Sequence, residues 1–285
     1  MDQRIIDLYD HFTHGGMNRR AFLDKLTSLA GSAAAAAALL PILQNDYARA
    51  DTVDEKDPRI TAETVEIPGV QGLKGYLVRP KSAGGKLPTV IVIHENRGLN
   101  PHIKDVTRRM ATEGFIALGL DYLSPIGGTP SDEDKGREMI SQLKQPDVIA
   151  AGKAAVAYLK ALPDGNGKVG AVGFCWGGGA VNNLAVADPD LSAGVAYYGA
   201  QPKAEDVPKI RAALLLHYAG LDTRINAGIP AYEEALKKAG KTYELYTYEG
   251  ANHAFNNDTN KARYDKEAAD LAWKRTVAFL KKHLA

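Results

Sequence analysis

The stretch Val169-Gly170-Ala171-Val172-Gly173-Phe174-Cys175-Trp176-Gly177-Gly178 contains the only cysteine of the 285-residue chain. An apolar run leads into a glycine-flanked cysteine, which is typical of the strand, sharp turn and helix of a nucleophile elbow. Glycines two residues before and after the cysteine leave space where a Cβ would collide with neighbouring chain. Because a thiolate is a strong nucleophile, this stretch predicts acyl-transfer chemistry at Cys175.

Strands and helices alternate on both sides of this stretch, which predicts βαβ units in an α/β fold. We expect a mainly parallel, twisted sheet with helices on both faces, forming one domain over residues 51–285. The first two strands, separated by a turn at 69–72, are expected to pair antiparallel, and 127–134 is expected to be a loop. The predicted strands are 64–67, 75–78, 89–93, 115–120, 169–172, 194–198, 212–216 and 243–248. The predicted helices are 102–112, 146–162, one that opens at Gly177, 228–239 and 261–282.

Two further residues complete a candidate catalytic set. A thiol nucleophile needs a base to take its proton and an acid to orient that base. Asp222 follows the strand at 212–216, and His253 follows the next strand, so both lie in loops at the carboxyl edge of the sheet, in the chain order of a hydrolase triad. Asp222 could instead only cap the turn that follows it. His94, at the end of an earlier strand, is a competing candidate for the base.

The tetrahedral intermediates of acyl transfer need two backbone N–H donors. We assign these to Trp176, at the start of the helix that follows the cysteine, and to Asn96, in the loop that follows the strand at 89–93. Glu95 and Arg97 flank Asn96, and two charges beside an apolar strand end favour a role in the pocket. Their alternative is an exposed ion pair of little energetic value.

Composition excludes several classes of function. The net charge is +1, and no cluster of Lys and Arg suggests a nucleic-acid partner. A single cysteine excludes zinc sites built from several cysteines, and neither a metal-binding His spacing nor a glycine-rich phosphate loop occurs. We therefore predict no metal and no cofactor.

Residues 1–50 have a different composition. Asn18-Arg19-Arg20-Ala21-Phe22-Leu23 resembles a twin-arginine export motif, an Ala-rich stretch follows over 26–43, and Tyr47-Ala48-Arg49-Ala50 offers a cleavage site. The prediction is an exported, periplasmic protein cleaved before Asp51. The alternative is a cytoplasmic protein with retained N-terminal helices, because apolar residues over 5–12 have helical spacing. A permanent membrane span is not expected, since Ala, Gly and Ser make the stretch only marginally hydrophobic.

From about Thr64 onward the chain resembles the dienelactone hydrolase family of α/β-hydrolases. The matching stretches are His94-Glu95 with Gly98, Gly114-Phe115 leading to Asp121-Tyr122, Gly173 to Gly178, Tyr197-Tyr198-Gly199, Gly220 to Asp222, and His253-Ala254-Phe255. The resemblance implies an α/β-hydrolase fold, a Cys175–Asp222–His253 triad and a thioester acyl-enzyme formed without a cofactor. It also implies that Glu95 contacts the thiol or the substrate and helps to gate the thiolate, and that Tyr198 lines the pocket.

The chain departs from the family at two positions. Archetypal members bind the dienelactone carboxylate with two arginines, one just after the segment equivalent to Asp121-Tyr122 and one shortly after the catalytic histidine. Here those places read Leu123-Ser124-Pro125 and Asn256-Asn257-Asp258. Arg97 and Arg224 are candidates to replace them. The reaction class therefore transfers to this chain better than the substrate does.

These features together predict a cofactor-independent hydrolase of ester or lactone bonds in small molecules, of the carboxymethylenebutenolidase type. One alternative is a thiol esterase, thioesterase or acyltransferase of broad range on the same fold. An alternative from another class is a non-catalytic protein that binds ligands in the retained pocket. The sequence specifies neither the substrate nor the oligomeric state.

Overall fold

The structure is a computed structural model and describes residues 1–81 and 84–285. Its strands are β1 (Ile60–Glu66), β2 (Lys74–Pro80), β3 (Leu87–Ile93), β4 (Ile116–Asp121), β5 (Gly165–Phe174), β6 (Leu191–Tyr197), β7 (Ala213–Ala219) and β8 (Tyr243–Tyr248). Its helices are α1 (Gln3–Thr13), α2 (Arg19–Ala30), α3 (Ala33–Leu43), α4 (Pro101–Thr112), α5 (Glu133–Gln142), α6 (Gln145–Lys160), α7 (Trp176–Ala187), α8 (Thr223–Asn226), α9 (Ile229–Lys238) and α10 (Lys266–Leu284).

The eight strands form one sheet in the order β1-β2-β4-β3-β5-β6-β7-β8. β1 pairs antiparallel with β2, and β2 pairs antiparallel with β4, whereas all other neighbours are parallel. The expected hairpin and the mainly parallel sheet are both confirmed. The carboxyl ends of β3, β5, β6, β7 and β8 therefore meet at one edge, where loops can assemble a site.

Helices cover both faces of the sheet, because the strands present apolar side chains in both directions. Along β3, Val90 and Val92 pack into one core with α4 and α10, while Ile91 and Ile93 pack into the other with α6, α7 and α9. All four side chains are fully buried, as expected for a central strand of a parallel sheet. This arrangement confirms the predicted fold class.

The helices α1, α2 and α3 form a separate layer over the carboxyl edge of the sheet. Their apolar cluster contains Tyr9, Phe12, Phe22, Leu26 and Leu43, and the Phe12 and Phe22 rings stack with centroids 4.5 Å apart. Among the described residues no single helix is long and apolar enough to cross a membrane. One bent pair, Arg19–Ala30 with Ala33–Arg49, meets that test by length and composition alone, with an angle of 113° between its parts.

Two helices differ from the sequence-based predictions. α5 begins at Glu133, at the end of the predicted loop, and continues through a polar stretch in which only Gly136 and Ile140 are buried. α10 starts at Lys266 rather than at residue 261, because the Asp265 side chain caps it by accepting a hydrogen bond from the Ala268 N–H.

Candidate active site

Cys175 lies at the junction between β5 and α7, in a backbone conformation that non-glycine residues rarely adopt. Its φ is 56° and its ψ is −115°, and its N–H donates to the Tyr197 carbonyl at 3.0 Å. A Cβ on Gly173 would lie 2.2 Å from the Gly177 carbonyl oxygen, and one on Gly177 would lie 2.5 Å from the His94 carbonyl oxygen. The two glycines therefore allow the tight approach of strand and helix that the elbow requires.

His253 and Asp222 form a buried pair at the same edge of the sheet. Asp222 follows β7 and His253 follows β8, and His253 Nδ1 donates to Asp222 Oδ2 at 2.5 Å. Asp222 Oδ1 accepts from the Ile225 N–H and caps α8, so the capping role considered from the sequence coexists with the bond to histidine. His253 Nε2 is buried without a hydrogen-bond partner in the described parts of the chain, and a ring nitrogen of His253 lies within 4.8 Å of Cys175 Sγ.

The charges in this cluster favour a thiolate and an imidazolium. Burial alone would raise the pKa of the Cys175 thiol, but the charges of His253 and His14 lower it to about 5. Burial would lower the pKa of His253, but Asp10, the Cys175 thiolate and the bond to Asp222 raise it to about 10. At neutral pH these directions correspond to an ion pair between sulfur and imidazole.

The two amides assigned to oxyanion binding have no other acceptor. Neither the Trp176 N–H nor the Asn96 N–H donates a hydrogen bond to another residue within 1–81 and 84–285. Trp176 is the first residue of α7, so its amide points out of the helix N-terminus, where the helix dipole favours negative charge. Both residues line the cavity that contains Cys175.

Tyr198 contacts the same cluster, whereas Glu95 is buried outside the cavity lining. The Tyr198 ring packs on His253 with centroids 4.9 Å apart, and its backbone also has a positive φ of 38°. Burial and the charges of Glu95 and Cys175 raise the pKa of Tyr198 well above its usual value. Glu95 is buried, accepts a hydrogen bond from Asn257 Nδ2 at 2.9 Å and does not line the cavity.

Two other sequence candidates have structural contacts instead. The Arg97 side chain does not line the Cys175 cavity, because its Nε binds Glu133 Oε2 at 3.0 Å in a neighbouring cavity. The expectation of a pocket role for Arg97 is therefore corrected. The His94 ring stacks on Trp176 in the core, its Nδ1 donates to the Glu95 carbonyl at 2.6 Å, and burial lowers its pKa.

The cavity at Cys175 has a volume of about 900 Å³ and is lined from three sides. The sheet edge contributes Trp176, Tyr198 and His253, and α5 contributes side chains that include Arg137 and Ile140. The end of α1 and the turn into α2 contribute the residues from Phe12 to Arg19 except Gly16. His14 Nε2 lies 3.2 Å from Cys175 Sγ. The sequence analysis missed this residue, because nothing in the sequence connects His14 with a cysteine 161 positions away.

The two positions that lack the family arginines are filled by other contacts. Leu123-Ser124-Pro125 leads into a short 3-10 turn, in which Ser124 Oγ donates to the Asp121 carbonyl. In the second place, Asn257 binds Glu95 and Asp258 pairs with Arg109 at 2.5 Å. Of the two candidate replacements, only Arg224 lines the cavity, and its Nη2 lies 3.7 Å from Asp10 Oδ2.

Three atoms of metal-ligand type also converge here. Cys175 Sγ and one ring nitrogen each of His14 and His253 lie within 4.8 Å of one another. Thiolate and imidazole are ligands that zinc prefers. A bound metal ion would occupy the atoms that thiol chemistry uses, so metal ions must be controlled in any assay of this site.

A mainly parallel sheet with helices on both faces, and a strained elbow at the carboxyl end of its central strand β5, define an α/β-hydrolase. Residues 73–284 match the Dienelactone hydrolase family, and residues 1–31 match a family named YqhI-like. The chain belongs to the dienelactone hydrolase family, which confirms the resemblance seen in the sequence and makes it a hydrolase.

Individual proteins show the same similarity. A "Putative carboxymethylenebutenolidase" of Saccharolobus solfataricus is 32% identical over 246 residues, which cover 74% of this chain and 94% of that protein. Another of the same name, from Synechocystis, is 33% identical over 237 residues, covering 77% and 95%. The crystal structure of a "Putative Dienelactone Hydrolase" of Klebsiella pneumoniae aligns with a TM-score of 0.69 at 31% identity, covering 78% of this chain and 98% of that one.

Proposed function

We propose that the protein is a cofactor-independent hydrolase of ester or lactone bonds in small molecules, with Cys175 as the nucleophile, His253 as the acid and base, and Asp222 as the residue that orients the imidazole. The observation that carries this proposal is the position of Cys175. Its sulfur projects from a strained elbow into a cavity, within 4.8 Å of a ring nitrogen of His253, and His253 Nδ1 is bound to the buried Asp222 carboxylate.

In the first half of the reaction the Cys175 thiolate attacks the substrate carbonyl carbon and forms the C–S bond. The carbonyl electron pair moves to oxygen, which the free amides of Trp176 and Asn96 stabilise. When the intermediate collapses, the C–O bond breaks and the leaving alkoxide takes the proton from His253 Nε2. A thioester and a neutral His253 remain.

In the second half His253 takes a proton from water, and the resulting hydroxide attacks the thioester carbonyl. The second tetrahedral intermediate expels the Cys175 thiolate, and the released acid ionises. His253 again carries its proton, so the ion pair is restored without a cofactor or an external reductant. The hydrogen bond to Asp222 holds the imidazole with Nε2 directed at the reacting atoms throughout.

The choice of substrate depends on whether the cavity can bind a carboxylate. Relatives named as carboxymethylenebutenolidases favour a lactone with a carboxylate, and Arg19, Arg137 and Arg224 line the cavity as possible partners for it. The absence of arginine from the two family positions favours a broader thiol esterase as the second candidate. All three cavity arginines also pair with aspartates, two with Asp134 and one with Asp10, which lowers their value as carboxylate binders.

The test is hydrolysis of cis- and trans-dienelactone and of a panel of simple aryl esters by the wild type and by Cys175→Ala. We expect the alanine variant to lose about 10⁴-fold or more in kcat/KM, because members of a triad act as a unit. Turnover that survives this substitution would reject the thiol mechanism. Ester hydrolysis without lactone turnover would select the broader esterase, and binding without any turnover would select a ligand-binding protein.

A further inference from the structure

The N-terminal segment, residues 1–50, is bound to the hydrolase domain directly at the nucleophile. The last carbonyls of α1, which have no partner within the helix, accept hydrogen bonds from that domain: Asn96 Nδ2 donates to Thr13 and Arg137 Nη1 donates to Phe12. Asn260 Nδ2 donates to the Leu43 carbonyl at the end of α3. These contacts place the residue after α1, His14, over the elbow.

The His14 side chain is held in one orientation. Its Nδ1 donates to the Asp10 carbonyl at 2.8 Å and lies 3.3 Å from Asp10 Oδ1, which directs Nε2 at Cys175 Sγ. The residue follows a helix C-terminus, where the dipole favours a positive charge. Burial would lower the pKa of His14, but the Cys175 thiolate and Asp10 raise it.

The cysteine therefore has two imidazoles in reach, and each is anchored through its Nδ1. His14 Nδ1 donates to the Asp10 backbone carbonyl, whereas His253 Nδ1 donates to the Asp222 carboxylate. His14 Nε2 lies 3.2 Å from the sulfur, and a ring nitrogen of His253 lies within 4.8 Å of it. The rings meet edge to face with centroids 4.7 Å apart. His14 Nε2 makes the hydrogen bond to Sγ, whereas His253 Nε2 is left without a partner among the described residues.

We propose that His14 is a second catalytic imidazole, which takes the Cys175 proton and holds the resting thiolate, so that the N-terminal segment completes the active site. This inference rests on the proposed thiol mechanism and assigns a second base to it. His14 then deprotonates the thiol, and His253 exchanges protons with the leaving group and with water; one histidine performs both steps in an ordinary triad.

Each of the two histidines carries its own proton through the cycle. In the resting enzyme the S–H proton moves to His14 Nε2, and the imidazolium donates it back as a hydrogen bond to the thiolate. His253, also protonated, remains free to give its own proton to the leaving alkoxide and later to receive one from water. When the thioester is hydrolysed, the released Cys175 thiolate again accepts a hydrogen bond from the His14 imidazolium, which has kept its proton. The enzyme is then back in its resting state.

Cleavage before Asp51 would remove this imidazole. The predicted export signal would leave a mature enzyme without residues 1–50, whereas a catalytic role of His14 requires that these residues are retained. A retained segment also gives Asp10 a role. Its Oδ1 lies 3.6 Å from Nη1 of the buried Arg263 and 3.3 Å from His14 Nδ1, so the carboxylate pairs with His14 rather than with solvent.

The test uses the full chain and the pH dependence of alkylation of its single cysteine by iodoacetamide, followed by intact mass with EDTA present. His14→Asn keeps an amide donor for the Asp10 carbonyl but cannot reach sulfur, and His14→Gln places an uncharged amide near Sγ. His11→Gln, which replaces an exposed histidine in the last turn of α1, is the matched control. The charged and titratable groups around the sulfur are His14, His253, Asp10, Asp222, Glu95, Arg224, Arg263 and Tyr198.

We expect the apparent pKa of Cys175 to rise by about one unit in His14→Asn, which is the usual effect of removing a neighbouring charge. Alkylation and kcat/KM then fall by up to about tenfold at pH values below the wild-type pKa of about 5, fall by less between the two pKa values, and recover at higher pH. His14→Gln should lie between this variant and the wild type, and His11→Gln should match the wild type.

Two results would overturn the inference: an unchanged alkylation profile in His14→Asn, or a loss of activity that is equal at every pH with the thiol pKa unchanged, as expected of a purely structural residue. Failure of the proposed function is separate. A wild type that hydrolyses no ester or lactone, but whose thiol pKa still depends on His14, would reject the hydrolase and leave the thiol–imidazole contact in place.

Discussion

Replacing Asp222 by Asn tests the buried pair at the centre of the site. The pKa of His253 stands at about 10 against its usual 6.5, and each pKa unit corresponds to about 1.4 kcal/mol, so the imidazolium is favoured by about 5 kcal/mol in total. Asp10, the Cys175 thiolate and Asp222 share this effect. Asp10 and the Cys175 thiolate contribute more of it than Asp222 does, so loss of the Asp222 charge should lower the pKa of His253 without returning it to its usual value.

The substitution also changes which ring nitrogen carries the proton. The asparagine oxygen can still accept from the Ile225 N–H, and asparagine caps helices as well as aspartate does, so the fold should persist. Its NH₂ group then faces His253 Nδ1, which turns Nδ1 into an acceptor and Nε2 into a fixed donor. Together with the lost charge, we expect kcat/KM at pH 7 to fall about 10²- to 10⁴-fold.

The assay is aryl ester hydrolysis, with thermal unfolding measured on the same samples. Asp190→Asn is the matched control, because Asp190 is an exposed carboxylate that pairs with Lys160 at the surface, where ion pairs contribute little. A folded Asp222→Asn enzyme that keeps its activity within about threefold of the wild type would refute the proposed role of the carboxylate.

The remaining predictions concern pH, the elbow and the N-terminus. The wild-type pH profile of kcat/KM should rise through about pH 5, as the Cys175 thiolate forms, and fall through about pH 10, as the His253 imidazolium is lost; a profile that instead rises near pH 8.5, where an ordinary thiol ionises, would contradict the ion pair. Gly173→Ala should lower the free energy of unfolding by about 3 kcal/mol in urea titrations, because its Cβ would collide with the Gly177 backbone. The control is Gly85→Ala, whose Cβ meets nothing within 4 Å and should change this free energy by less than about 0.5 kcal/mol. Equal effects of the two substitutions would show that the close approach at Gly173 does not matter. N-terminal sequencing of the protein from its native host should begin at Asp51 if the export signal is cleaved, and at or near Met1 if His14 serves the mature enzyme.

The sheet could be predicted from the sequence because its strands carry their own signals. The run at 89–93 is β-branched at every position and apolar after Thr89, which is typical of a strand buried on both faces, and it forms the carboxyl-terminal part of β3. The glycines around Cys175 indicated the elbow because only a close backbone approach requires them at that spacing. The structure places Asp222 and His253 at the predicted edge, since the order of parallel strands fixes where their loops emerge.

Features that depend on contacts between distant segments could not be predicted. α5 has few apolar residues, so the sequence predicted a loop over 127–134 and no helix over 135–142. Its first residue, Glu133, binds the Arg97 side chain outside the Cys175 cavity. Because α5 was not predicted, Arg97 had no visible partner in the sequence and was expected to bind the substrate. His14 is a single polar residue in a short N-terminal segment, and only the docking of α1 brings it to Cys175.

The proposed mechanism requires that Cys175 carries the acyl group during turnover. Acid quenching during hydrolysis of a slowly turned-over ester, followed by digestion and mass spectrometry, measures this directly. We expect an added acyl mass on the peptide that contains Cys175, and none in the Cys175→Ala variant. An acyl group on another residue, or a burst of product with no covalent adduct on any peptide, would contradict it.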